Sequence, residues 1–330
     1  MKKLLLALLA AVAGAASATA HPLTVYAAFG YDRAVAQAFT QATGIPVDLV
    51  HLSTGPLQAR VEAEGDRPQW DVVWFDGDLA MRELALQRRL ACGWMPPLRY
   101  SARGLALLPA DRCYLPVGLT YAGVMLVDAA RLHELPHGWK QLAQPAFAGK
   151  VGMNNPAISG PTFPFVAGIL QHDGMVAGKA WFERLRAQGL KVYPTNSVTL
   201  RALQYGQIDV AVVQSSAALG FAAGQPGLRI VSAPPLAALP SDIAIGAAVR
   251  GKTLQQARRF VRFVLSPAGQ KVMQHADPSA DSNYQPLLRG VAPRPAVAAL
   301  PVDGTEVLDP RVWGPREGAV DAWFSAHVLH

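Results

Sequence analysis

Short apolar runs alternate with polar corners and helix-period segments along this chain, and that alternation predicts its architecture. Residues 23–28 read as a strand that ends at Phe29-Gly30-Tyr31-Asp32; residues 33–43 then form an amphipathic helix closed by Gly44. Residues 46–52 repeat the pattern, running into Ser53-Thr54-Gly55-Pro56 and a helix over 57–64. Residues 71–75 are continuously apolar, which suits a parallel strand buried on both faces, and lead through Asp76-Gly77-Asp78 into a helix reaching Arg89. Three strand–corner–helix units predict a doubly wound α/β lobe, with the corners together at the carboxyl ends of the strands.

A second lobe repeats the arrangement. Residues 114–128 are extended and apolar and cross between lobes, with Gly118 and Gly123 allowing a bend. A strand over 151–153 then enters the corner Asn154-Asn155-Pro156-Ala157-Ile158-Ser159-Gly160-Pro161, with a helix from Thr162. Ser159 or Thr162 suits the helix cap, Pro161 its first turn, and Gly160 close approach of a ligand to the backbone. Thr195-Asn196-Ser197 caps a helix over 198–205, and the strand 208–213 ends in Gln214-Ser215-Ser216-Ala217. Residues 230–249 read as the return crossing. Two helices follow, and residues 319–330 form a last one within a proline-rich tail.

Composition adds a compartment. Met1-Lys2-Lys3, an apolar run over 4–16 and Ala18-Thr19-Ala20 describe a signal peptide cleaved after Ala20. The expected product is a soluble, exported, periplasmic and monomeric protein. In an oxidising compartment Cys92 and Cys113, the only two cysteines, are expected to form a disulfide. Losing Lys2 and Lys3 lowers the formal charge from +7 to +5, and the scattered basic residues exclude nucleic acid as a partner.

Several segments together resemble the periplasmic solute-binding proteins of ABC importers, in the branch that holds ferric-ion, phosphonate and phosphosugar binders. They are residues 23–26, 62–75 and 115–121; Gly149-Lys150-Val151 with Asn155-Pro156 and Ser159-Gly160; Asn196-Ser197, Leu203, Gly206 and Asp209-Val210-Ala211; and Ala257-Arg258-Arg259-Phe260 with Leu265-Ser266-Pro267-Ala268-Gly269-Gln270. The resemblance implies a type II periplasmic-binding fold, with two doubly wound α/β lobes joined by crossover strands. The expected division is 1–20 signal peptide, 21–117 and 244–290 lobe 1, 118–243 lobe 2, and 291–330 a tail packing on the lobes. It also implies a hinged cleft that captures a solute and delivers it to ABC permease subunits in the membrane, with no catalytic residues and no cofactor.

The ligand set departs from the ferric pattern of that branch. Where many members carry adjacent tyrosines, this chain reads Gln214-Ser215-Ser216-Ala217, and residues 27–31 hold no histidine. What remains is Ser53, Thr54, Ser159, Thr162, Asn196, Ser197, Ser215 and Ser216, a hydroxyl and amide set suited to a small oxyanion such as a phosphonate or phosphate ester. Phe29, Tyr31 and Tyr121 are expected to wall its organic part, and Asp76 or Asp78 to hold an amine on it.

Two other readings stand beside this one. A ferric-iron carrier would complete its coordination with an exogenous anion. An exported hydrolase or zinc enzyme would use His133-Glu134-Leu135-Pro136-His137, which fits H-E-x-x-H; Pro136, however, interrupts the helix that pattern needs. Asp277 and Asp281 read as parts of a solvated loop.

Overall fold

The computed structural model describes residues 21–132, 134–302 and 304–329. The first three strands are β1 (Leu23–Ala27), β2 (Val47–His51) and β3 (Val72–Asp76), with β1 parallel to both neighbours. Each is followed by a helix: Asp32–Thr43, Thr54–Glu64 and Asp78–Leu86. The second of these starts three residues earlier than its periodicity predicts, because Pro56 fits a first turn. The third ends before Arg89, where Arg88 turns left-handed at φ 58°.

β4 (Leu115–Tyr121) is buried along its whole length, and β5 (Val124–Asp128) begins the second lobe. There β6 (Val151–Asn154), β7 (Lys191–Tyr193), β8 (Val210–Val213) and β9 (Leu228–Val231) follow, before β10 (Leu236–Ile245) returns. Two short strands, β11 (Gln285–Pro286) and β12 (Thr305–Glu306), complete the set among the described residues. The first sheet has the order β11-β4-β10-β3-β1-β2, with β12 added to β10; the second is β7-β6-β8-β5-β9. Each sheet is mixed: β10 runs antiparallel to β3 and β4, and β5 antiparallel to β8 and β9. Two α/β lobes joined by crossover strands are therefore the architecture expected from the sequence.

The division between lobes differs from the sequence reading. Both crossing strands pair inside the first sheet over their full length, so the chain changes sheets at residues 122–123 and 232–235, not at 117/118 and 243/244. Hydrophobic pattern alone does not separate a strand that crosses from one that ends at the crossing. Gly123 is required at the first crossing point, since a Cβ there would lie 2.4 Å from the Phe165 ring.

Each lobe buries its own apolar faces. One cluster fills the first lobe with Phe39, Trp74, Phe260 and Val264. Another fills the second with Trp139, Phe165, Trp181 and Phe182. The tail joins the second: Trp313, Val320, Phe324 and Val328 enter that cluster, and the Trp313 Nε1–H donates to Gln171 Oε1 at 2.9 Å. Its helix Glu317–Phe324 is followed by one wider turn, Ser325–Leu329. Cys92 and Cys113 are joined in a disulfide.

Candidate functional site

The carboxyl ends of parallel strands in both lobes face one another across a cleft of about 490 Å³. The first lobe contributes Ala28 and Gly30 after β1, His51 to Thr54 at the end of β2, and Asp76 ending β3. The second contributes Ser159 to Pro161 after β6, Thr195 to Ser197 and Arg201 after β7, and Gln214 after β8. A loop from the first lobe, residues 279–281, closes one side.

The cleft is ringed by helix N-termini whose first-turn N–H groups receive no side-chain cap. This holds for Thr54–Glu64, Thr162–Asp173, Asn196–Gln204 and Ser215–Ala222. Capping side chains are present but engaged elsewhere. The buried Asn154 amide donates to Ser159 Oγ at 3.2 Å and to Asn196 Oδ1 at 2.6 Å, and its oxygen accepts from Thr199 Oγ1 at 2.5 Å. Thr195 and Ser197 pair their hydroxyls at 3.1 Å. Free N–H groups at the positive ends of helix dipoles attract an anion.

The first-lobe wall has the opposite character. Asp76 is 6% exposed and accepts from Gln214 Nε2 at 3.1 Å, while the same amide donates to Thr120 Oγ1 at 2.9 Å. Burial, then the neighbouring Asp281 charge, raises the Asp76 carboxyl well above the usual range, and the Gln214 bond only partly offsets this. Asp281 is pushed up to about 6 by burial, against the lowering effect of the Gly30 N–H, which donates to its Oδ2 at 2.7 Å. Asp32, buried beneath, lies 2.7 Å from His51 Nδ1. A desolvated carboxyl of this kind gains a charge-assisted bond when a ligand ammonium arrives and it ionises, and it hydrogen-bonds a ligand hydroxyl in either form.

Of the residues read from the sequence as ligand-binding, Ser53, Thr54, Asp76, Ser159, Gly160, Asn196 and Ser197 line the cleft. Seven other predicted residues do not. Phe29 and Tyr31 stack on each other at 5.0 Å and tilt against Trp74 inside the first-lobe core, so they wall no ligand. Tyr121 is buried in another apolar cluster, with its hydroxyl accepting from Arg103 at 3.3 Å. Asp78 starts the helix Asp78–Leu86 away from the cleft lining, and burial, then Asp309, pushes its carboxyl up to about 7. Thr162 is buried behind the corner, donating its N–H to the Ser159 carbonyl at 2.9 Å. The Ser215 hydroxyl accepts from the Tyr121 N–H at 3.0 Å, and Ser216 is fully buried.

Residues that the sequence reading passed over complete the lining. His51 ends β2 and Gln214 follows β8 at once, so the strand-end rule that selected Ser53 and Ser215 also points to them. Asp281 belongs to the cleft and not to a solvated loop; only its tertiary contact with Gly30 reveals this. The H-E-x-x-H pattern forms no helix over residues 134–138, and His133 lies outside the described residues.

The lobes meet beside the cleft. A Cβ at Gly55 would sit 2.9 Å from the Ile158 carbonyl oxygen, and one at Gly160 would sit 2.5 Å from Thr54 Cβ. Two helix N-termini from different lobes are thus in direct contact.

The sequence matches the family of bacterial extracellular solute-binding proteins over residues 23–276. The chain belongs to that family. Among relatives of this solute-binding protein is the major ferric iron-binding protein of Neisseria meningitidis serogroup B, 28% identical over 281 residues, covering 81% of this chain and 82% of that one. The phosphoglycerate transport regulatory protein PgtC of Salmonella typhimurium is 26% identical over 254 residues, covering 72% of this chain and 59% of that one. In fold, the periplasmic binding protein AfuA from Actinobacillus pleuropneumoniae, with exogenous fructose-6-phosphate bound, is similar at a TM-score of 0.81 and 17% identity. That likeness spans 94% of this chain and 99% of AfuA. The family is one of transport proteins, and the solute-binding part of an ABC transporter is the role this solute-binding protein fills.

Proposed function

We propose that the protein captures a small organic anion bearing hydroxyl or amine donors, such as a phosphorylated polyol or an aminophosphonate, and delivers it in the periplasm to ABC permease subunits as a monomer. The observation that carries this reading is the pairing of opposite walls. Uncapped helix N-termini with Ser53, Asn196 and Ser197 take the oxyanion, and Asp76 with Asp281 takes the donors of its organic part. A relative named for phosphoglycerate transport and a similar fold with exogenous fructose-6-phosphate bound support an anion.

The second reading, a ferric ion completed by an exogenous anion, is favoured by the relative named for ferric iron and by the acidic wall. Against it, no group of three or more His, Cys, Asp or Glu among the described residues could hold a metal ion.

Thermal-shift screening of sugar phosphates, aminoalkyl phosphonates, carboxylates and ferric citrate separates the two. The expected result is a shift with phosphate or phosphonate compounds, with Ser159→Ala and Asn196→Ala weakening binding roughly 10- to 150-fold, or about 1.5–3 kcal/mol per charge-assisted bond. A shift with ferric citrate alone, or only with neutral or cationic solutes, overturns the anion reading.

A further inference from the structure

A second cavity, of about 540 Å³, lies between the helices Thr54–Glu64 and Asp78–Leu86 of the first lobe. It is closed from the other side by the second-lobe corner at Pro156, Ala157 and Gly160 and by the tail residues Gly314, Pro315, Glu317 and Asp321. Gly160 lines this cavity and the cleft alike, so only the contact of Thr54 and Gly55 with residues 157–160 separates them.

The floor is apolar, made by Val61, Phe75, Leu79 and Leu84. The charged groups on the wall carry one sign. Glu62 is already held by Arg89 at 3.1 Å, and Glu83 accepts from Gln87 Nε2 at 3.0 Å. Glu317 and Asp321 differ. They stand one helical turn apart on the tail helix, and neither has an ion-pair partner among the described residues. Asp321 Oδ1 is shut off from solvent and receives no hydrogen bond. Burial, then the Asp321 charge, pushes Glu317 up to about 7, and burial pushes Asp321 up to about 6.

Two like charges at i and i+4 repel, and an unpaired carboxylate against an apolar surface costs desolvation with nothing in return. A cation between them removes both penalties. The apolar floor and the size are those of an organic-ligand pocket, not of a bare metal site. We propose that this cavity is a second binding site, for a small amphipathic amine whose ammonium pairs with Glu317 and Asp321 while its apolar body rests on Phe75, Leu79 and Leu84. This site is separate from the solute cleft and does not rest on the reading of the cleft ligand.

Benzylamine is the probe, with benzyl alcohol and benzoate as neutral and anionic controls, measured by ligand-observed NMR and equilibrium dialysis on the full mature chain. Benzylamine is expected to bind and the two controls not to. Glu317→Gln with Asp321→Asn should lower benzylamine affinity at least 10-fold while the melting temperature of the empty protein stays level or rises, because the repulsion has gone. A merely structural pair of carboxylates would instead give a lower melting temperature. Ala59→Trp, at an exposed position on the rim, should block the cavity with both carboxylates intact. The proposal is overturned if benzylamine does not bind, if benzyl alcohol binds as well, or if binding survives both the double variant and Ala59→Trp.

Discussion

Gly160 shows how closely a single residue governs the site. With no side chain, it lets the corner of the second lobe rest on Thr54, and a methyl group there would overlap Thr54 Cβ at 2.5 Å. Gly160→Ala should therefore hold the lobes slightly apart and weaken solute binding about 10-fold or more, with little change in the melting temperature of the empty, open protein. Calorimetry checks the first part and a thermal melt the second; unchanged affinity would mean the two corners need not meet. At this scale the strand-end rule made half of the cleft lining legible, because Asp76 ends a strand and Ser53, Ser159 and Asn196 lie in the corners that follow strands. The rule failed for aromatic residues: Phe29 and Tyr31 occupy a strand end too, but large rings beside Trp74 are drawn into the core by the area they bury. It failed also for Asp281, which reaches the cleft from a loop distant in sequence and is fixed there by the Gly30 N–H. Side-chain hydrogen bonds such as those of Asn154 are invisible to periodicity.

Elements with strong patterns were legible, and short ones were not. The first of the two helices read after the return crossing is Gly251–Val264, with Ala257, Phe260, Val261 and Val264 buried on one face. By contrast β12 is two residues long, and the helix Ala102–Leu107 is six; neither spans enough turns or alternations for a period to show. The proline-rich stretch before residue 245 reads as a crossing but resolves into the longest strand described, β10, tolerated because Pro240 sits within a strand whose other positions carry the ladder. The disulfide staples Cys92 to Cys113, 21 residues apart, the second of them just before β4. Replacing both cysteines with serine should cost about 3 kcal/mol, by relaxing the unfolded chain's constraint. Denaturant titration of the reduced-equivalent variant checks this; equal midpoints would show that the loop is held without the bond.

Across the whole molecule, buried carboxyls set the dependence of stability on pH. Burial pushes Asp78 and Glu317 up to about 7 and Asp281 and Asp321 up to about 6, and raises Asp76 and Asp242 well above the usual range. The unfolded chain titrates these groups near 4, so between roughly pH 4 and pH 7 the native state binds more protons. Their stabilising contribution is present at low pH and is lost as pH rises through the raised values. Glu64 and Asp309, which hydrogen bonds and nearby arginines lower despite some desolvation, act in the opposite sense only below about pH 4.5. The empty protein should accordingly melt at a higher temperature at pH 5 than at pH 8 by scanning calorimetry, and the reverse order would contradict these burial effects. The order of strands also governs the order in which the molecule can be built from its amino end. All five strands of the second sheet lie between residues 124 and 231, an unbroken run. The first sheet instead has β10 between β3 and β4, so until residue 245 is present it is two separate pieces with open edges. The sheet of the later lobe is therefore complete first, before its core receives the tail, and the two pieces of the sheet that begins the chain are joined by the strand that comes back from it.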